Sequence, residues 1–298
     1  MILVTGGAGF IGSHVVSALR AQGRPVHIVD LQAPEPFDLR TGDLPALLRH
    51  LTPSAIIHLA GHAIVGDSIA DPRRDLETNL LPTFSLLEAV RAICPQTPLL
   101  FASTGAVYGS HATRPFTELD PVFPVPPYAV SKLASERYCA SYAAVYGLRT
   151  ASLRLFSVFG PGQRKQVVYD LIRKLLADPT RLEMFGDGSQ VRDFNPVGNI
   201  AAAFLVALDR AAFTGEVYNV GGPEALSIRT LAERLCELLD VNPVFSFTGA
   251  NRTGDAECWL ADSSKLLSLG YQPGISLRQG LLETIDWVRD DLHHRSRL

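Results

Sequence analysis

The 298-residue chain has no apolar run approaching the roughly 20 residues a membrane-spanning helix requires. Its start, Met1-Ile2-Leu3-Val4-Thr5-Gly6, has neither the charged opening nor the cleavage site of a secretory signal. An excess of one charge is also missing: 27 Lys+Arg stand against 30 Asp+Glu, so no basic footprint points to nucleic acid. Cysteine is scarce. Cys94, Cys139, Cys236 and Cys258 are widely spaced, with no Cys-x-x-Cys pair and no histidine at ligand spacing, which argues against disulfides or a metal site and for reduced thiols in the cytoplasm. With 47% hydrophobic and 19% charged residues, disorder is not indicated and the chain can bury a full core.

What is present begins at once. Ile2-Leu3-Val4 is a short apolar strand that stops at Thr5-Gly6-Gly7-Ala8-Gly9-Phe10-Ile11-Gly12, after which Ser13 to Arg20 reads at helical period. Gly6, Gly9 and Gly12 let backbone N–H groups and a helix N-terminus approach a pyrophosphate. The next strand, Pro25 to Val29, ends in Asp30, where a carboxylate accepts from both adenosine ribose hydroxyls and repels a 2′-phosphate; this favours NAD over NADP. Leu31 to Phe37 is a proline-broken loop, and Asp38-Leu39 follow it at the place expected for adenine, with Asp38 as acceptor for its amino group. Asp43 is placed to cap a short helix to Leu51.

Ala55 to Gly61 reads as a buried strand whose small carboxyl end, Leu59-Ala60-Gly61, lies where parallel sheets bind ligands. Within it His58 reads as a satisfied core histidine; His62 faces cleft or solvent. Asp71 to Ile93 is a long helical stretch in which Asn79 stands on the apolar stripe, and its side chain is expected to hold backbone at the sheet's end or the helix bearing the reactive groups. Leu99 to Thr104 is a buried strand ending in the hydroxyls of Ser103 and Thr104. Pro126-Pro127 then start a helix with Tyr128 in its first turn. Lys132, at i+4, lies on the same face. A phenol of ordinary pKa about 10 needs roughly 4 kcal/mol of selective stabilisation to act as a base near pH 7, and the lysine charge is the expected source.

Taken together, the glycine turn, Asp30, Asp38-Leu39, His58-Leu59-Ala60, Asn79, Ser103-Thr104 and Tyr128-x-x-x-Lys132 resemble the extended short-chain dehydrogenase/reductase family of nucleotide-sugar epimerases, dehydratases and reductases. The resemblance implies an α/β fold, a Rossmann-type doubly wound parallel sheet with a smaller, discontinuous α/β substrate-binding lobe. Residues 1–156 would form the dinucleotide-binding domain, with a return segment at about 194–221, and 157–193 with 222–298 the nucleotide-sugar lobe. It implies NAD contacts from Gly6, Gly9, Phe10, Ile11, Gly12, Asp30, Asp38, Leu39, Leu59, Ala60, Gly61, Asn79, Ser103, Tyr128, Lys132 and Phe156. Leu153 to Gln163 looks like the segment meeting nicotinamide and the sugar-nucleotide phosphate, with Ser157 where the family usually has asparagine. Arg192 and Arg252 look like its diphosphate-binding arginines. Pro196-Val197-Gly198-Asn199 replaces a more usual valine-aspartate element and is expected to affect helix capping and packing.

The implied chemistry is nicotinamide-dependent 4-epimerisation of a nucleotide-diphosphate sugar, with Thr104, Tyr128 and Lys132 as catalytic residues. A 4-keto-6-deoxysugar reductase needs the same three groups and remains the alternative; a non-catalytic nucleotide-binding relative is a third reading. The dehydratase subclass follows its catalytic threonine with Asp-Glu, whereas Gly105-Ala106 follow Thr104 here. In relatives the outward faces of Asp71 to Ile93 and Tyr128 to Tyr146 form a four-helix homodimer contact, with Leu133, Tyr138 and Tyr142 as candidates.

Overall fold

Strand and helix alternate from the first residues of the computed structural model, which describes residues 1–109, 114–249 and 258–295. The first half runs β1 (Ile2–Thr5), α1 (Phe10–Ala21), β2 (Val26–Val29), α2 (Leu44–Leu51), β3 (Ala55–His58), α3 (Val65–Ala70), α4 (Pro72–Asp75), α5 (Leu81–Ile93), β4 (Leu99–Thr104), α6 (Pro127–Tyr146) and β5 (Thr150–Leu155). There follow β6 (Val158–Phe159), α7 (Gln166–Ala177), β7 (Arg181–Met184), β8 (Val191–Pro196), α8 (Val197–Arg210), β9 (Thr214–Val220), β10 (Glu224–Ser227), α9 (Ile228–Leu239), β11 (Val244–Phe247), β12 (Cys258–Trp259), α10 (Ser264–Ser268) and α11 (Leu277–Arg295).

Six strands form one parallel sheet in the order β2-β1-β3-β4-β5-β9. The chain goes from β1 out to the edge strand β2 and then back across to β3, so the crevice for a ligand opens between the carboxyl ends of β1 and β3. Both faces are buried, which is why these strands read as apolar runs rather than alternating patterns. Val4, Ile57, Leu100 and Leu153 pack with Val15, Val16 and Leu19 of α1 and Ile200 and Phe204 of α8. On the other face Leu3, Ile56, Leu99 and Phe101 meet Leu44, Leu48, Leu86, Leu87 and Tyr142.

Local chemistry sets the helix ends. The Asp43 carboxylate accepts from the Ala46 N–H at 2.9 Å and starts α2, as expected. Gly147, left-handed at φ +69°, ends α6. The stretch Asp71 to Ile93 is not one regular helix: between α4 and α5 lies a wide π-turn, Leu76–Leu80, where the Leu81 N–H reaches back to the Leu76 carbonyl. Pro82 supplies the reason, because it has no N–H for the carbonyl four residues before it and its ring crowds that carbonyl.

A second apolar core gathers Phe159, Val168, Ile172, Leu182, Phe194, Leu231, Leu235, Leu281 and Ile285. Its β8 pairs antiparallel with β10 and parallel with β12. The 196–199 segment bears on helix capping and packing, with Pro196 preceding α8 and no side-chain cap. Asn199 instead clamps the Ile275 backbone, donating to its carbonyl at 2.8 Å and accepting from its N–H at 2.9 Å. No helix among the described residues is long and apolar enough to cross a membrane.

Candidate active site

The carboxyl end of β4 and the first turn of α6 meet at one point. Pro126 holds an extended backbone before Pro127, and this delivers Tyr128 to the helix start, where it is 8% exposed; Lys132, a turn later, is 5% exposed. The Thr104 hydroxyl neighbours the Tyr128 phenol and accepts from the Ala106 N–H at 3.2 Å. Lys132 donates from Nζ to the Ala102 carbonyl at 3.0 Å and lies 4.8 Å from the centre of the Phe101 ring. One expectation needs correction. Burial pushes the Tyr128 phenol up to about 12, the neighbouring Thr104 hydroxyl opposes this, and the charge of Asp75 adds to it. Lys132 does not hold the phenol acidic in the protein alone, and burial pushes its own ammonium down to about 8, opposed by Asp75.

The glycine turn forms a cradle that side chains would fill. A Cβ on Gly12 would stand 2.0 Å from the Gly6 carbonyl oxygen, and one on Gly6, at φ +71°, would stand 2.6 Å from the Ala60 nitrogen. A Cβ on Gly9 meets only the Gly6 oxygen, at 3.2 Å, and otherwise open space. No side chain caps α1, so the N–H groups of Phe10, Ile11 and Gly12 are left for an anion. Asp30, at the end of β2, accepts from the N–H groups of Ala8 and Gln32 at 3.0 and 2.9 Å, tying its carboxylate to this turn. Beyond Leu59 and Ala60, a Cβ on Gly61 would stand 3.3 Å from Nζ of Lys132 and 2.6 Å from Oδ1 of Asn79. Glycine turn, β3 end and Lys132 thus stand side by side at the carboxyl edge of the sheet, an arrangement suited to an extended dinucleotide.

Residues 2–221 match the model of the NAD dependent epimerase/dehydratase family. The chain belongs to this family. A putative UDP-glucose 4-epimerase of Methanocaldococcus jannaschii is 33% identical over 98% of this chain and 99% of its own length. A GDP-6-deoxy-D-mannose reductase of Pseudomonas aeruginosa is 33% identical over 96% of each chain. Among solved structures, the Thermus thermophilus UDP-glucose 4-epimerase in complex with NAD superposes with a TM-score of 0.86 at 34% identity, covering 97% of this chain and 98% of that one.

Other residues expected of a family member have more varied surroundings. His58 is fully buried between the hydroxyls of Thr5 and Thr83, at 2.6 and 3.0 Å, and burial pushes it down to about 3, so it is a neutral core histidine. Asn79 accepts from the His62 N–H at 2.8 Å and donates to the His62 carbonyl at 3.1 Å, holding backbone past the end of β3. Asp38 is committed to Arg40, at 2.7 Å from its guanidinium, rather than presenting a free carboxylate to an adenine; Leu39 is buried beside it. Ser103 turns away from the groove and donates to Glu136 at 2.9 Å. The Phe156 ring is buried with Val107, Tyr108 and Phe116, and its N–H donates to the Val220 carbonyl. Ser157 is half-buried at φ +20°. Arg192 is buried, with its guanidinium 5.5 Å from the Trp259 ring. Arg252 lies outside the described residues.

Four features had no counterpart in the sequence reading. Asp75 is buried beneath α6. Trp259 packs on Ala106, Tyr128 and Ala129 and also meets Arg192, so it forms the wall between the reactive phenol and the arginine. Asp193 is buried, accepts from the Ala261 N–H at 2.8 Å, and is pushed up to about 8 by burial. Glu136 and Arg154 form a buried ion pair joined to Ser103 and to the Tyr108 hydroxyl. Arg154 and Asp193, polar within apolar strands, were the ones with a sequence signal.

Proposed function

We propose that this chain is an NAD-dependent nucleotide-sugar 4-epimerase in which Tyr128 is the acid–base residue. The observation carrying this reading is the convergence of Thr104, Tyr128 and Lys132 at one end of the groove, with Gly105-Ala106 in place of the acid pair of a dehydratase. NAD held in this groove would supply the hydride acceptor. Tyr128 takes the proton of the sugar's 4-hydroxyl and returns one to the same oxygen after the ketose has turned over. Thr104 hydrogen-bonds that oxygen in both orientations. Lys132, which donates to the Ala102 carbonyl, would hold the nicotinamide ribose, with Asn79, Gly61 and Phe156 shaping that end of the groove. Gly6, Gly9, Phe10, Ile11 and Gly12 take the cofactor diphosphate, Asp30 the adenosine ribose, and Leu39 the adenine edge.

The lobe built around Phe194 holds the nucleotide diphosphate through Ser157, Arg192 and Arg252, so that remote binding energy retains the sugar while it turns. Planar guanidinium suits the diphosphate. Incubation with UDP-, GDP- and dTDP-sugars tests the reading: epimer forms with no net change in nicotinamide absorbance. Full turnover by Tyr128→Phe would overturn the catalytic assignment. Stoichiometric consumption of NAD(P)H with a 4-keto-6-deoxysugar would instead identify a reductase, the reading that similarity to the Pseudomonas protein supports.

A homodimer through the outer faces of α5 and α6 is part of the proposal, along with residence in the cytoplasm, where the four free thiols stay reduced. Phe84, Tyr138 and Tyr146 are 38%, 41% and 52% exposed and lie along that face. Leu133 and Tyr142 do not belong to it: Leu133 packs inward beside Phe156, and Tyr142 is buried with its hydroxyl on Glu88. Light scattering at the monomer mass would remove the dimer.

A further inference from the structure

Asp75 is 4% exposed, and both its carboxylate oxygens are used. Oδ2 accepts from the Ser131 hydroxyl at 2.6 Å and Oδ1 from the Asn79 amide at 2.7 Å. Ser131 belongs to the turn of α6 that carries Tyr128 and Lys132. Asn79 grips the His62 backbone next to Gly61, which touches Lys132 from the opposite wall. The carboxylate therefore stands at the junction of two walls of the site. We propose that Asp75 is a positioning residue of the reaction, fixing the α6 turn between Tyr128 and Lys132 and serving as the buried counter-charge that keeps Lys132 an ammonium. This rests on the catalytic reading of Tyr128 and Lys132 given above.

The other groups around Lys132 do not supply that charge. Glu136, on the next turn of α6, is paired with Arg154 through two hydrogen bonds. The Cys139 thiol is pushed up to about 12 by burial and stays neutral, and His58 on β3 is neutral as well. The Phe101 ring and the Ala102 carbonyl give the ammonium partial charges only. Against the burial that drives Lys132 toward its neutral form, Asp75 is the largest opposing influence. The same negative charge disfavours the Tyr128 phenolate. Asp75 thus moves both groups the same way, holding each in its protonated form to higher pH.

That common direction gives a signature that loss of packing would not. In Asp75→Asn, which keeps the shape and an acceptor for Ser131, both limbs of the pH profile of kcat/KM move to lower pH by about one pH unit. At pH 8 the rate falls about fivefold while KM for the sugar nucleotide stays near its original value. The chain has only four lysines, Lys132, Lys165, Lys174 and Lys265, so lysine labelled with carbon-13 at Cε gives a spectrum in which Lys132 is assigned from Lys132→Met. Its titration midpoint in the NAD-loaded protein falls in Asp75→Asn. A folded Asp75→Asn with unmoved midpoint and unmoved limbs overturns the proposal, as does lower activity without displacement of the limbs. Should Asp75→Asn fail to fold, the unaltered protein still decides: Lys132 neutral at pH 7 overturns the proposal, and Lys132 charged there, with a lower midpoint in the folded Asp75→Ser, supports it. Absence of turnover on every nucleotide sugar would refute the epimerase reading, whereas the lysine titration judges Asp75 independently.

Discussion

Gly105 lies flat against the ring of Phe156: a Cβ on the glycine would stand 2.8 Å from Cε1, Cε2 and Cζ. The residue after Thr104 is thus closed to any side chain while that ring keeps its place. Gly105→Asp, which restores the first half of a dehydratase acid pair, is expected to produce no 4-keto-6-deoxysugar and to lower stability by about 1–3 kcal/mol through overpacking. Thermal melting together with a product assay checks both outcomes, and an unchanged melting temperature would mean that Phe156 yields.

Ser157 sits at φ +20°, toward the left-handed region that asparagine tolerates better than serine. Its carbonyl accepts from the Asn195 N–H, so the backbone is fixed whichever side chain it carries. Ser157→Asn adds an amide donor facing the lobe proposed to hold the diphosphate. KM for the nucleotide sugar is expected to fall about tenfold, with kcat little changed, as one hydrogen bond to a charged group would give. Steady-state kinetics decides.

NAD affinity should weaken in alkali. Lys132, pushed down to about 8, donates to a ribose hydroxyl more strongly as an ammonium than as a neutral amine. Binding to the protonated form is complete well below pH 8, and each pH unit above it costs up to a tenfold loss of affinity until the midpoint of the bound state is reached. Calorimetric titration of cofactor-stripped protein between pH 6.5 and 9.5 measures the slope; a flat profile would mean that the lysine makes no charged contact.

The Asp193 carboxyl, pushed up to about 8 by burial, binds a proton in the folded state that the unfolded chain releases near pH 4. Stability from this group is fully present below that value and is lost as pH rises toward about 8. Asp193→Asn keeps an acceptor for the Ala261 N–H and removes the titration. Its stability relative to the unaltered protein is expected to improve from pH 5 to about pH 8 and to level off above it, measured by urea unfolding between pH 5 and pH 9.

The groove was readable from sequence because its parts are backbone-determined. Gly6 and Gly12 announce close approaches that only glycine permits, and Asp43 marks a helix start. Asp75 was not readable: in Asp71 to Ile93 a polar residue off the apolar stripe reads as solvated, and only the added turn before Pro82 directs this one inward. Glu136 and Arg154 were hidden differently, because they are on successive elements and their pairing depends on how α6 lies across β5. Tyr142 and Leu133 looked outward on a helix buried on more than one side.

The π-turn at Leu76–Leu80 has a consequence for what changes this segment tolerates. Each residue of a regular helix advances the face by roughly 100°, so removing one residue from the turn would restore even winding and swing Asp75 away from Ser131 on α6. The composition around it could remain identical and the site would still lose its junction. Surface helices often absorb single-residue gains and losses at their ends; here the count of residues between Pro72 and Pro82 is itself part of the chemistry.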